Sequence, residues 1–155
     1  MTWRVHRGDI LLPIALLLFL LAAAPIWLPR ISPAPLVYRN LPFPVLNSPV
    51  EAGDSILMLV SRCTSEVDAE VYTTTRELVN LDTGLRTVLP PGNSRPRPGC
   101  EEFAARTAAL PDDIEPGNYI YRGVVLVRGR WRTEDVAWST QPFVIVAAET
   151  EKQGP

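Results

Sequence analysis

The sequence predicts an all-β fold, an antiparallel sandwich of about seven strands, preceded by one transmembrane α-helix. Three observations carry that expectation. Residues 10–28 are an apolar run of 19 residues without a charge. From residue 45 onward the chain breaks into short segments rich in Val, Ile, Thr and aromatic residues, with turn residues at roughly the 8–12-residue spacing of a sandwich. No part of that second region holds a long helical period. At 155 residues there is room for one ordinary domain, and 46% hydrophobic against 21% charged residues is too apolar for a disordered chain. A formal net charge of −2 supplies no general attraction for nucleic acid. One histidine and two cysteines are too few for a His/Cys zinc site or a histidine-based triad, so no metal and no cofactor is expected.

The first element is residues 10–28. As a helix it would span roughly 28 Å at 1.5 Å per residue, near the hydrocarbon thickness of about 30 Å. Trp3 and Trp27 flank it at the positions of headgroup-level aromatic rings, and Pro13 sits in its first turn. A cleaved signal peptide is the competing reading, with Arg4, His6 and Arg7 as its basic region and Ala22-Ala23-Ala24 before the cut. Pro25 directly after that cut, and the continuing apolar run through Ile26, Trp27 and Leu28, favour an uncleaved anchor. Basic residues nearly balance across the run, so length sets the orientation. A head of residues 1–9 stays cytoplasmic and the long body crosses, which places the chain in a bacterial inner membrane with a periplasmic domain.

Residues 29–49 hold Pro29, Pro33, Pro35, Pro42, Pro44 and Pro49. Such spacing prevents a helix and favours an extended, semi-rigid stalk. The body, residues 50–148, then follows strand by strand. In 55–63, Ile56, Met58 and Val60 share one face, and Leu57, Leu59 and Cys63 the other. Residues 69–81 form the next strand. Asp82-Thr83-Gly84 suits a turn closed by a left-handed glycine, with residues 85–89 returning as its hairpin partner. Residues 90–99 read as a proline- and glycine-rich loop, 102–110 as a strand or a short helix. Residues 119–128 form a long strand, Gly129-Arg130 a tight turn, 131–138 the return, and 142–147 the closing strand. The tail, 149–155, is polar and frayed.

Ile114-Glu115-Pro116-Gly117-Asn118-Tyr119, leading into a long penultimate strand, resembles the tyrosine corner of immunoglobulin-like and fibronectin type III-like sandwiches. The resemblance covers about 100 residues and implies an Ig-like sandwich in which Tyr119 enters the core and returns its hydroxyl to backbone near Ile114, with Pro116, Gly117 and Gly84 as structural residues. Cys63 and Cys100 are the only cysteines; an even count in an exported domain points to a disulfide, closing about 38 residues and contributing roughly 4 kcal/mol in the chain-entropy account. Two free thiols are the alternative.

Arg95 and Arg97 form a basic loop tip, and Arg122, Arg128, Arg130 and Arg132 surround the last hairpin. If Tyr119, Val125 and Val127 face the core, Arg122 and Arg128 face outward. The arginines make either a solvated sheet face or a binding patch. Trp131 and Trp138 differ by an odd number, so one is a core residue and the other an exposed anchor. The binding candidates are thus Arg95, Arg97, Arg122, Arg128, Arg130 and Trp131. Asp82-Thr83-Gly84 also resembles the catalytic triplet of retropepsin-like aspartic proteases, which implies Asp82 as acid/base in a dimer.

The function expected is a non-enzymatic, membrane-tethered, extracytoplasmic interaction or assembly module of a larger envelope complex, attached to the membrane through residues 10–28. It would bind protein partners rather than nucleic acid or a small molecule. The alternatives are the dimeric protease centred on Asp82 and a phage virion or phage-encoded membrane protein.

Overall fold

The computed structural model describes residues 7–65 and 69–148. The tail at 149–155 and most of the head at 1–9 lie outside the described residues. The chain divides into two units, Met1–Pro33 and Ala34–Pro155.

The described part of the first unit is one helix, α1 (Arg7–Ile31), apolar on every side rather than along one stripe. Its described side chains are largely exposed, among them Leu12, Leu16, Phe19, Leu20 and Trp27. Among the described residues, no helix is long and apolar enough to cross a membrane. The expected single-pass anchor at 10–28, and the inner-membrane placement built on it, are corrected accordingly. That expectation rested on a run near the short end of the roughly 17–25 residues that a span takes.

The second unit is all β. Its strands are β1 (Leu36–Tyr38), β2 (Val50–Glu51), β3 (Ser55–Thr64), β4 (Glu70–Asn80), β5 (Arg86–Val88), β6 (Gly92–Ser94), β7 (Gly99–Ala109), β8 (Gly117–Arg128), β9 (Thr133–Ser139) and β10 (Phe143–Val146). A three-stranded sheet has the order β1-β3-β7. The larger sheet runs β2-β10-β8-β4-β5, with β6 also on β4 and β9 also on β8. Every pairing is antiparallel except β2 with β10.

Alternation decides which residues are buried. On β3, Ile56, Met58 and Val60 face the core, and on β8 Tyr119, Tyr121, Val125 and Val127 do. They meet Leu36, Val71, Leu78, Trp138, Phe143 and Ile145 in one cluster fed by both sheets. Each such fully buried aliphatic side chain stabilises the fold by about 1.5–3 kcal/mol. Trp138 packs edge-on against Tyr121 at 4.8 Å and lies 6.0 Å from Phe43. Gly123 makes room for it: a Cβ there would stand 2.7 Å from the indole and 2.4 Å from the Thr75 carbonyl oxygen.

Three expectations change, and one reading left open is decided. Residues 34–49 are not a stalk: β1 pairs with β3, Phe43 is buried and bridges Thr140, and Val45 bridges Met58. Proline excludes a helix but leaves its carbonyl free, and two of these are used, Leu59 N of β3 donating to Pro44 O and Ser65 N to Pro35 O, while Phe43 N donates to Ser139 O and Gln141 N to Phe43 O. Residues 90–99 contain β6, paired with the first half of β4. Residues 102–110 are strand, not helix, because β7 registers along the whole of β3. The last hairpin turns over four residues, with Gly129 N donating to Arg132 O and Arg128 paired with Thr133.

Candidate functional site

The sequence-derived binding residues are built mainly on the end of the large sheet where β8 finishes and β4 begins. Arg128 stands opposite Glu70 in register, and Val71 opposite Ser94 of β6. Arg95 follows directly on β6, so two separate elements deliver guanidinium groups to one place. Arg128 lies over the ring of exposed Tyr72, 6.0 Å from its centroid, and Arg95 pairs with Glu70 at 3.5 Å. Glu70 also accepts the Tyr72 hydroxyl at 2.6 Å, which raises that phenol's pKa; both arginines act to lower it. Glu70, Tyr72, Asn93, Ser94 and Arg95 line a cleft of about 310 Å³. In the adjoining turn Arg130 stacks on Trp131 at 5.0 Å. Trp131 is 49% exposed and Trp138 only 8%, so Trp131 is the outward ring of the two.

Arg122 and Arg97 stand differently. Arg122 is on the outer face of the same sheet but pairs with Glu77 at 2.6 Å, which matches its charge. Arg97 is exposed in the β6–β7 connection, next to buried Pro96.

The opposite end of β4 and β8 is closed by a polar network. Tyr119 donates its hydroxyl to the Glu115 carbonyl at 2.7 Å and accepts from Asn80 Nδ2 at 3.1 Å. Asn80, 2% exposed, accepts from the backbone N–H groups of Asp82 and Thr83. Gly84, at φ 74°, donates to the Asn80 carbonyl and closes the turn. Asp82 accepts from Asn118 N at 3.1 Å and from Asn118 Nδ2. Its carboxylate thus ties the β4–β5 turn to the start of β8, which is the structural role that an Asp-x-Gly turn offers rather than that of a catalytic acid. Gly117 sits against this network: a Cβ there would lie 3.1 Å from Asn80 Nδ2 and 3.3 Å from Asp82 Oδ2. Pro116 is exposed in the approach to β8.

Cys63 and Cys100 are directly opposite on β3 and β7 and form a disulfide. Among the described residues, no three His, Cys, Asp or Glu side chains converge to hold a metal ion.

One residue with site character was not singled out from the sequence. Arg76 enters β4 on the face of Leu78 and Asn80, toward the other sheet, because the β4–β8 register shifts between Thr73 and Thr75. The signal was present: Val71 and Leu78 are both core-facing yet an odd number apart, which an unbroken strand does not allow.

No protein-family model matches the chain, and no curated protein matches it. Among solved structures it is similar to a ceramidase complexed with C2, at 14% identity and a TM-score of 0.41, over 72% of this chain and 19% of that one. It is also similar to the neutral ceramidase from Pseudomonas aeruginosa, at 15% identity and a TM-score of 0.39, over 66% of this chain and 19% of that one. The chain thus spans about a fifth of the length of these structures. Both are named as enzymes, and the expectation of a non-enzymatic, membrane-tethered module is corrected: neither these neighbours nor the described helix supports it. A likeness at this level transfers neither activity nor substrate to the chain.

Proposed function

We propose that the second unit is an immunoglobulin-like sandwich that binds an acidic polypeptide at the end of its large sheet, through Arg95, Arg128, Arg130 and Trp131. Two features support the Ig-like reading. One sheet consists of β1, β3 and β7 while the other is centred on β4, β8 and β9, and the long strand β8 opens with a tyrosine hydroxyl bonded back to the chain four residues earlier. The observation that carries the binding reading is that Arg128 lies over exposed Tyr72 while Arg95, paired with Glu70, reaches the same cleft from a separate element. Guanidinium groups beside exposed rings offer carboxylates both charge and planar hydrogen-bond donors, on surface that costs little to desolvate.

The test is titration of the full-length chain with poly-L-glutamate. R95A/R128A/R130A is expected to weaken binding by about tenfold at low salt, with the difference shrinking as ionic strength rises. R122A, whose partner is Glu77, serves as control and leaves binding unchanged. Equal affinity of the triple variant and the native chain would sink the reading.

A further inference from the structure

We propose that the space between the two sheets is a binding site for a short aliphatic carboxylate, with Arg76 as its anion-binding group. The cavity there measures about 200 Å³. At about 30 Å³ of liquid volume per water, that is room for roughly six waters or a small organic acid. Its walls are mostly apolar: Met58, Val60 and Phe103 from the small sheet, Val125 and Trp138 from the large one. Ser94, exposed on β6, lies at its mouth.

Into this apolar space the chain puts a permanent cation. Two guanidinium groups line the cavity, and only one has its charge matched. Arg62 pairs with Glu101 at 2.7 Å and lies over the Phe103 ring at 4.9 Å. Arg76 has no carboxylate partner among the described residues. Its Nη2 reaches Thr73 Oγ1 at 3.3 Å and the guanidinium also hydrogen-bonds the Tyr121 side chain, while its Nε is buried with no hydrogen-bond partner. A buried guanidinium N–H without an acceptor is costly, and a carboxylate would satisfy it and match the charge together. Tyr38 lines the same space, and burial raises its phenol's pKa despite Arg62 and Arg76, so it stays a neutral donor. A carboxylate is therefore the head group the site fits, with an alkyl chain of a few carbons against the apolar wall.

Gly92 gives a way to move the charge without removing it. A Cβ on Gly92 would lie 2.9 Å from Arg76 Cζ and closer still to Nη2, the flexible end of that side chain. G92A therefore displaces the guanidinium while the fold keeps its arginine.

Calorimetric titration of the full-length chain with sodium hexanoate, hexan-1-ol and hexylammonium chloride tests the proposal. Hexanoate is expected to bind about tenfold or more tightly than hexanol, the usual weight of a charge-assisted hydrogen bond, and hexylammonium not to bind. R76Q and G92A are each expected to erase the preference of hexanoate over hexanol, and A105F, at Ala105 of the β7 wall, to block both ligands by filling the cavity. R122A is expected to bind hexanoate as the native chain does, since Arg122 pairs with Glu77 on the outer face of the large sheet. Hexanoate binding no tighter than hexanol, or unchanged in G92A, would overturn the proposal even if R76Q failed to fold.

Discussion

Asn80 and Arg76 lie four residues apart on one strand and point into the same sandwich, yet their surroundings are opposite. Asn80 is more deeply buried and has its acceptor and donor groups engaged, by two turn N–H groups and the Tyr119 hydroxyl. Arg76 is less buried, and its Nε is without a partner. Buried polar groups are normally satisfied, and each exception asks for an explanation. The satisfied end of β4 reads as architecture: it locks the β4–β5 turn to β8. The unsatisfied end reads as a place kept ready for something else. In a sandwich this small, the difference between the two separates a structural polar group from a binding one.

Substitutions at the two ends test that contrast. The largest effect is expected from Asn80→Leu, which strands two backbone N–H groups and removes a donor to Tyr119. Chemical denaturation should show a loss of about 3 kcal/mol, the order reached when buried partners are left unsatisfied. A loss under ~1 kcal/mol would mean that water replaces Asn80 and that the network is not a lock. Next is Gly123→Ala. Gly123 stands opposite Arg76 where the two ends of β4 meet, and an added methyl would press on the Thr75 carbonyl and the Trp138 ring. Overpacking of that kind costs about 2 kcal/mol, and the same denaturation curves would report it.

Tyr119→Phe removes one hydroxyl but leaves its ring in the core, so a smaller loss of about 1 kcal/mol is expected. The melting temperature should fall by a few degrees with the β structure intact by circular dichroism. The smallest effect is expected at the other end. Arg76→Met replaces an unmatched cation with an apolar side chain of similar length, and the stability change should be near zero or favourable by about 1 kcal/mol. If Arg76→Met instead destabilised as strongly as Asn80→Leu, both ends of β4 would be architecture and the contrast would vanish.

Legibility in the sequence follows the range of the interactions. The core faces of β3 and β8 follow from two-residue alternation, because each strand lies with one side on the core. The corner at Tyr119 and the turn at Gly84 depend on neighbours within a few positions, and the chain spells them out. The inward course of Arg76 was harder to see, since one extra residue near Thr74 reverses the parity of the second half of β4. The gathering of Arg95 and Arg128 was invisible for a different reason: 33 positions separate them, and only the pairing of β6 and β8 on either side of β4 joins them.

The same division applies to the whole chain. The residues alone establish that the body is β, which side of its best strands is buried and where the tyrosine turn lies. These are local properties, set by side-chain alternation, backbone preference and turn chemistry. Only the assembled fold set that residues 34–49 join the sandwich, that Arg122 is matched by Glu77, and that a cation stands in an apolar cavity between sheets, whereas the Cys63–Cys100 disulfide was already expected from the sequence. Each of those depends on which distant segments pair and in what register. Register is chosen by the burial of all the strands together, and no single stretch of sequence contains that information.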